Sequence, residues 1–148
     1  MELRQALDRY ARFYETMTPA DLETLDRFVT ADVRFKDPFN DVTGVDAMAR
    51  CLSMAYDHGT PKFDVLDRAV SERAGYLLWR YTSTRKGETR PAWIVEGMSE
   101  VRFAPDGRVA EHIDHWDSGE QFYLRLPILG WLVGKVRQKL RVGAGTRS

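Results

Sequence analysis

The stretch WIVEGMSEVRFAPDGRVAEHIDHWD, residues 93–117, predicts two strands joined by a tight turn. Residues 93–103 alternate, which predicts a strand whose inner face carries every second side chain. Ala104-Pro105-Asp106-Gly107 is rich in turn formers, and a second strand follows from Arg108 to Trp116. The inner row of the first strand is then Trp93, Val95, Gly97, Ser99, Val101 and Phe103.

A symmetric four-residue turn would pair Phe103 with Arg108, and paired residues share a face of the sheet. His112 would then lie opposite Ser99, and Asp114 opposite Gly97. A polar row facing small residues predicts an internal space, although a register shift of one residue would swap the two faces. The predicted inner row of the second strand is Ala110, His112, Asp114 and Trp116.

The chain around this hairpin predicts helices first and strands afterwards. Apolar residues at helical spacing predict a first helix over residues 3–17, a second starting at Thr18 and Pro19, and a third over 45–58. Short strands are predicted at 33–37, 62–70 and 76–84, and a last helix from Pro127 to about Val142. The fold class is therefore α+β, a strongly curved antiparallel sheet wrapped around N-terminal helices, with a C-terminal helix. We expect a single domain over 1–142 and a disordered tail at 143–148.

Composition narrows the class of protein but not its activity. The 148 residues are 43% hydrophobic and 30% charged, as in ordinary globular domains, and basic and acidic residues both number 22. We therefore expect no nucleic-acid partner. Cys51 is the single cysteine and cannot form an internal disulfide. No apolar run is long enough to span a membrane, so a cytoplasmic location is expected.

Asp37 is the second polar residue on a predicted core face. Val33, Phe35 and Asp37 share one face of the strand VRFKD, and a carboxylate there is either a turn former or a functional acid. The dipeptide Asp37-Pro38 is typical of turns, so both interpretations stay open.

The order of the elements, with RFKDPFNDVTG at 34–44 and HIDHWD at 112–117, resembles the nuclear transport factor 2-like superfamily. That superfamily includes ketosteroid isomerases, SnoaL-type polyketide cyclases and limonene epoxide hydrolases. The resemblance implies a cone-shaped domain with a mostly apolar pocket. It also implies a homodimer, which we expect to form through the outer face of the sheet with Ile94 and Met98.

The match to ketosteroid isomerases is only partial. VRFKDP is similar to the isomerase segment that ends in a general-base aspartate, so the resemblance makes Asp37 a candidate base. The two hydrogen-bond donors of the isomerase oxyanion hole would fall on Phe13 and Ser99, which disfavours steroid isomerisation unless Tyr10 or Tyr14 replaces the missing tyrosine.

The C-terminal strand is similar to segments of the other two enzyme types. DHWD resembles the DYFD segment of limonene epoxide hydrolases, in which the first aspartate donates a proton, and this makes Asp114 the candidate acid. The arginine-aspartate pair of those hydrolases is incomplete, because Arg80 is followed two residues later by Thr82. SnoaL-type cyclases use one acidic residue with a histidine, which His112 and Asp114 could supply.

We therefore predict a protein that binds a small apolar or amphipathic molecule and, if it is an enzyme, isomerises, cyclises or opens an epoxide without a cofactor. A non-catalytic ligand-binding or dimerisation module is the alternative. A metal site of His112, Asp37 and Asp114 is less favoured, because strand alternation splits the ligands of HIDHWD between two faces. The candidate catalytic residues are Asp37, His112 and Asp114, and the candidate pocket residues are Tyr10, Phe13, Tyr14, Phe35, Trp79, Trp93, Ser99 and Trp116.

The last predicted helix combines apolar residues with Lys135, Arg137, Lys139 and Arg141. Such a helix can cap a domain or a dimer, or lie on an anionic membrane surface. Packing is favoured over the membrane, because Gly130 and Gly134 weaken the segment as an isolated helix.

Overall fold

The computed structural model describes residues 2–142 and divides the chain into two compact units, one ending at Trp116 and the other beginning at Asp117. The predicted disordered tail at 143–148 lies outside the described residues. A single domain over residues 1–142 was expected from the sequence.

The first unit begins with helices that each bury one face. Helix α1 spans Leu3–Thr16 and buries one apolar and aromatic face. Helix α2 spans Val45–Ser53, buries Met48 and Leu52, and continues as a 3₁₀ turn over Met54–Tyr56. The buried face of α1 consists of Ala6, Leu7, Tyr10, Ala11, Phe13 and Tyr14.

The second predicted helix differs from the expectation. Pro19–Arg27 is a kinked 3₁₀ segment rather than an α-helix, although its start is as predicted. The backbone N–H of Thr18 donates to the Asp21 carboxylate at 2.8 Å, and Pro19 takes the first position. Val29 follows this segment and begins the first strand, where a β-branched residue fits a buried sheet position well.

A six-stranded curved sheet forms the other layer, and the predicted α+β class is confirmed. The strand order is β2-β1-β6-β5-β4-β3, so β6 lies inside the sheet and β3 at its edge. One pair, β1 with β6, is parallel, which makes the sheet mixed rather than wholly antiparallel. The strands are β1 Val29–Lys36, β2 Asp41–Thr43, β3 Thr60–Val70, β4 Gly75–Thr84, β5 Trp93–Phe103 and β6 Val109–His115.

The inner face of the sheet packs against α1 and α2 and forms the core. On β5 the alternation is as predicted, since Val95, Ser99 and Val101 are buried whereas Ile94 and Met98 are exposed. The outer face carries ion pairs instead, including Arg34 with Asp41 at 2.8 Å and with Glu111 at 3.0 Å.

The second unit is helical. Asp117 caps the short helix α3, Ser118–Gln121, by accepting a hydrogen bond from the backbone N–H of Glu120. A 3₁₀ turn over Tyr123–Arg125 leads into helix α4, Pro127–Leu140. No helix within residues 2–142 is both long and apolar enough to cross a membrane.

Candidate functional site

Strand β6 brings His112 and Asp114 to the inner face of the sheet, but not in the predicted register. Phe103 pairs with Val109 rather than with Arg108, and the register shifts once more before Arg102 pairs with Glu111. Each of these two changes moves the pairing by one residue, so either alone would turn the side chains of His112 and Asp114 to the outer face of the sheet. Together they leave both side chains on the inner face. His112 therefore faces inward as expected but lies opposite Val101, and Asp114 lies opposite Ser99.

The second shift also changes one member of the predicted inner row. Val109 is fully buried and takes the core position that was expected for Ala110. Trp116 lies beyond the end of the strand at His115, so it is not a member of the inner row as predicted.

A chain of hydrogen bonds crosses the sheet and ends on α1. The indole Nε1–H of Trp79 donates to Ser99 Oγ at 2.8 Å, and the Ser99 hydroxyl donates to Asp114 Oδ1 at 2.5 Å. The same Oδ1 lies 2.7 Å from His112 Nε2, and His112 Nδ1 lies 2.9 Å from the Tyr10 hydroxyl. Strands β4, β5 and β6 and helix α1 thus each contribute to one network.

The network fixes one arrangement of protons when His112 is neutral. Nε2–H donates to the carboxylate of Asp114, which leaves Nδ1 free to accept a hydrogen bond from the Tyr10 hydroxyl. His112 is 1% exposed, and both of its ring nitrogens have partners. A buried histidine held at both nitrogens stabilises the carboxylate in one orientation.

Asp114 keeps one oxygen for other partners. Both Ser99 and His112 bond to Oδ1, so Oδ2 is left to accept a hydrogen bond or a proton from a bound molecule. The side chain of Asp114 is 18% exposed, and the side chain of His112 is almost fully buried. The structure therefore presents an oriented carboxylate to the pocket from a rigid strand.

Gly97 makes this arrangement possible although it was predicted to lie opposite Asp114. A Cβ atom at position 97 would lie 2.7 Å from the ring of Trp79 and 2.9 Å from the carbonyl oxygen of His115. Because glycine has no side chain, the indole of Trp79 can lie across β5 and reach Ser99. The space beside Gly97 is therefore occupied by the indole ring of Trp79 rather than left open for a ligand.

Tyr14 is the other polar group at the site. Its hydroxyl is buried and forms no hydrogen bond of ordinary geometry among the described residues, although the Tyr10 hydroxyl is close enough to affect its pKa. Burial raises the pKa of Tyr14 well above its usual value, and the nearby Tyr10 and Asp114 raise it further. Burial raises the pKa of Tyr10 as well. Both phenols therefore stay protonated at neutral pH and act as hydrogen-bond donors rather than as bases.

The pocket beside this network is small and almost wholly apolar. Its free volume is about 10 Å³, which is room for about one water molecule. Phe63, on the edge strand β3, packs edge-to-face against Tyr14 with ring centroids 5.3 Å apart. The lining residues are Tyr14, Phe63, Val65, Leu77, Trp79, Ser99, His112 and Asp114.

Asp37 lies outside this pocket lining, at the end of β1. Its carboxylate accepts hydrogen bonds from the backbone N–H groups of Phe39 and Asn40 at 2.8 and 2.7 Å, and from the Asn40 side chain. These contacts are those of a turn former. The expected cluster of Asp37 with His112 and Asp114 in one cavity is therefore not found.

The remaining predicted pocket residues belong to the core around the site. Phe35 lies 5.2 Å from the ring of His112, and Phe13 packs against Tyr10. Trp93 and Trp116 contact each other edge-to-face, away from the pocket lining. Sequence reasoning missed Phe63, Val65 and Leu77, for which the alternation of strands β3 and β4 was the available signal.

Two other chemistries receive no support from side-chain placement. Among residues 2–142 no cluster of three or more histidine, cysteine, aspartate or glutamate side chains could hold a metal ion. Burial and the nearby charge of Asp37 raise the pKa of the Cys51 thiol, which disfavours a reactive thiolate.

Comparison with protein families gives one match that covers most of this unit. The model of the SnoaL-like domain matches residues 10–112, from Tyr10 on α1 to His112 on β6. The chain belongs to the SnoaL-like domain family. The match begins and ends on the two residues that bond across the site, Tyr10 and His112, and Asp114 lies just beyond it. A comparison with curated proteins gave no significant match.

Solved structures similar to this SnoaL-like protein share its fold at low identity. A candidate SnoaL-like polyketide cyclase from Jannaschia is 16% identical, with 77% of this chain and 86% of that chain covered and a TM-score of 0.63. A protein from Catenulispora acidiphila with a ketosteroid isomerase-like fold, in complex with trimethylamine, is 14% identical over 81% and 91% of the two chains, with a TM-score of 0.64. A Burkholderia pseudomallei protein of unknown function with the nuclear transport factor 2-like fold is 18% identical over 81% and 95%, with a TM-score of 0.65.

Proposed function

We propose that this SnoaL-like protein transfers a proton on a small, mostly apolar molecule that carries one oxygen function. The observation that supports this most is the carboxylate of Asp114, whose Oδ1 is held by Ser99 and His112 while Oδ2 stays available. A carboxylate fixed in this way can remove or return a proton without reorienting during the reaction. His112 is its partner and Asp114 is the catalytic acid or base.

Tyr14 supplies the second function that such chemistry needs. Charge develops on a substrate oxygen when a neighbouring carbon loses a proton or when an epoxide opens, and a buried hydroxyl can stabilise it. The Tyr14 hydroxyl is buried, unpartnered within the described chain and part of the same pocket. We assign it as the donor to the substrate oxygen, the position that the comparison with isomerases had left empty at Phe13.

The pocket lining restricts the substrate class. Apart from Asp114, Tyr14, Ser99 and His112, the lining is made of apolar or aromatic side chains, so a substrate would be apolar around its reacting group. A molecule larger than water must displace a side chain, and Phe63 on edge strand β3 is the one that we assign to this movement. Isomerisation, cyclisation and epoxide opening all fit these requirements.

The experiment that tests the proposal measures proton exchange directly. The purified protein is incubated in D₂O with a panel of enolisable ketones, and separately with apolar epoxides in water. Deuterium incorporation at carbon, or diol formation, is followed by NMR. We expect exchange or opening above the buffer rate for at least one compound class. Failure in every class would leave ligand binding without catalysis as the function of the pocket.

A second candidate function is binding of a small alkylammonium ion. Tyr14, Phe63 and Trp79 are aromatic and surround a carboxylate, a combination that attracts such cations. The Catenulispora structure contains trimethylamine, which suggests the probe. Saturable binding of trimethylamine that Asp114→Asn abolishes, without turnover in the proton-exchange assay, would favour this candidate over the enzyme.

We further propose that a second copy of the chain covers the outer face of the sheet. Leu78 pairs with Met98 there, both are exposed at 40% and 43%, and Ile94 is exposed at 51%. Adjacent exposed apolar residues on a sheet face are typical of an interface with another chain. Charged groups border them, among them the Arg80–Glu96 ion pair at 2.7 Å.

We predict a homodimer of twice the 17.1 kDa chain mass at micromolar concentration. Leu78→Glu with Met98→Glu should give a folded monomer, because two carboxylates would have to be buried at the interface. Sedimentation velocity measures this, and Glu88→Gln in an exposed turn is the control that should remain dimeric. A wild-type monomer would contradict the prediction.

A further inference from the structure

The charge of the chain is divided sharply between its two ends. All 22 acidic residues lie within residues 1–120, which carry 16 basic residues. This part of the chain therefore has a net negative charge, although the whole chain is neutral. Residues 121–142 contain five basic residues and no acidic one. A charge asymmetry of this kind indicates a basic segment that meets an anionic partner. The basic residues are Arg125, Lys135, Arg137, Lys139 and Arg141.

Helix α4 in this segment exposes large apolar side chains along most of its length. Ile128 is 79% exposed, Trp131 61% and Leu140 78%. At 100° per residue the exposed apolar side chains fall within roughly half of the helix circumference. They are Ile128, Leu129, Trp131, Leu132, Val136 and Leu140.

The opposite side of α4 is occupied within its own unit. A Cβ atom at Gly130 would overlap the carbonyl group of Leu124, so this glycine is required where the helix meets the preceding turn. Arg137 forms an ion pair with Glu120 at 3.7 Å. The helix thus has one side packed within its own unit and an exposed apolar side, and Lys135 and Lys139 lie among the apolar residues of that exposed side.

We propose that α4 docks this protein on the surface of an anionic lipid membrane, lying in the plane of the interface. Apolar side chains on a basic helix insert at the boundary between headgroups and acyl chains, and lysines reach back to the phosphates. Lys135 already lies over the ring of Trp131, with Nζ 5.0 Å from its centroid. This inference does not depend on the proposed proton transfer.

Two features favour a membrane over other anionic partners. Nucleic-acid binding depends on positive charge, but the phosphate backbone would make no favourable contact with the exposed side chains of Ile128, Leu132 and Leu140. An acidic protein surface would be expected to form ion pairs with a cluster of cations. The cations here are instead spread along the helix between apolar residues.

The test is co-sedimentation of the full chain with vesicles of phosphatidylcholine alone and of phosphatidylcholine mixed with phosphatidylserine. We expect binding to the mixed vesicles, weakened by salt, and little binding to the neutral ones. Lys135→Glu with Lys139→Glu should weaken binding at least about 25-fold, since each basic residue near such a surface contributes about fivefold. Ile128→Ser with Leu132→Ser should weaken it as well.

Arg85→Glu with Lys86→Glu is the matched control, because it makes the same change of net charge in an exposed turn between β4 and β5. It should leave vesicle binding intact. Equal loss in the control, or no binding of the wild type to the mixed vesicles, would overturn the proposal. Conversion of a wild-type dimer to a monomer by Ile128→Ser with Leu132→Ser, without vesicle binding, would instead show that a second copy covers α4.

Discussion

Asp114→Asn is expected to lower the rate of proton transfer by about 10²–10⁴-fold while the fold is kept. The asparagine oxygen can still accept hydrogen bonds from Ser99 and His112, so the side chain stays in place. The amide cannot take up a proton at neutral pH, and the reaction loses its acid or base. The measurement is kcat/KM for the compound that the wild type turns over fastest, with the melting temperature as the check on folding.

Asp37→Asn is the matched control because it makes the same chemical change in the other carboxylate that the sequence singled out. The asparagine oxygen can still accept from the N–H groups of Phe39 and Asn40, so the turn should persist. We expect activity within a few-fold of the wild type. If Asp37→Asn were inactive and Asp114→Asn active, the assignment of the two aspartates would be reversed.

The second large effect is a steep loss of stability at high pH. Tyr10 and Tyr14 have raised pKa values in the folded protein because they are buried, whereas in the unfolded chain they ionise near pH 10. A raised folded pKa gives stability that is fully present below the unfolded pKa and is lost as pH rises. Above about pH 10 the free energy of unfolding should fall by about 1.4 kcal/mol per pH unit for each tyrosine.

Tyr14→Phe separates this effect from general alkaline damage. The variant should lose less stability per pH unit than the wild type, by about 1.4 kcal/mol, measured by urea unfolding at successive pH values. At neutral pH its stability should be equal to or slightly above that of the wild type, because an unpartnered buried hydroxyl is removed. Val101→Ala should lower stability at every pH without changing the slope. An unchanged slope in Tyr14→Phe would contradict the prediction.

Alternation placed His112 and Asp114 on one face of the strand, but the choice of the inner face depended on the predicted pairing of Phe103 with Arg108. Both side chains do face inward, because the two errors in that pairing cancel. The pairing depended on the turn after Phe103, where a longer connection and a register shift each move the strand by one residue. Such irregularities depend on local twist and leave no mark in a pattern of period two.

Asp37 shows a different limit. Its position in an apolar row was compatible with both a turn former and an acid, and the resemblance to isomerases favoured the acid. The hydrogen bonds from Phe39 and Asn40 depend on the backbone after Pro38, which one sequence does not determine. The hydrogen bond from Trp79 to Ser99 could not be predicted either, because it requires the indole to lie across Gly97 on the neighbouring strand.

The position of β6 within the sheet has a consequence for how the protein folds. The last strand in the sequence lies between β1 and β5, so the sheet exists as two separate pieces until β6 joins them. Contacts such as Val29 with Val109 close a long loop of chain, and topologies of this kind fold on the slower scale of milliseconds to seconds. A ribosome must therefore release the chain past His115 before either the sheet or the site can form. Until then, the open edges of β1 and β5 are exposed to aggregation.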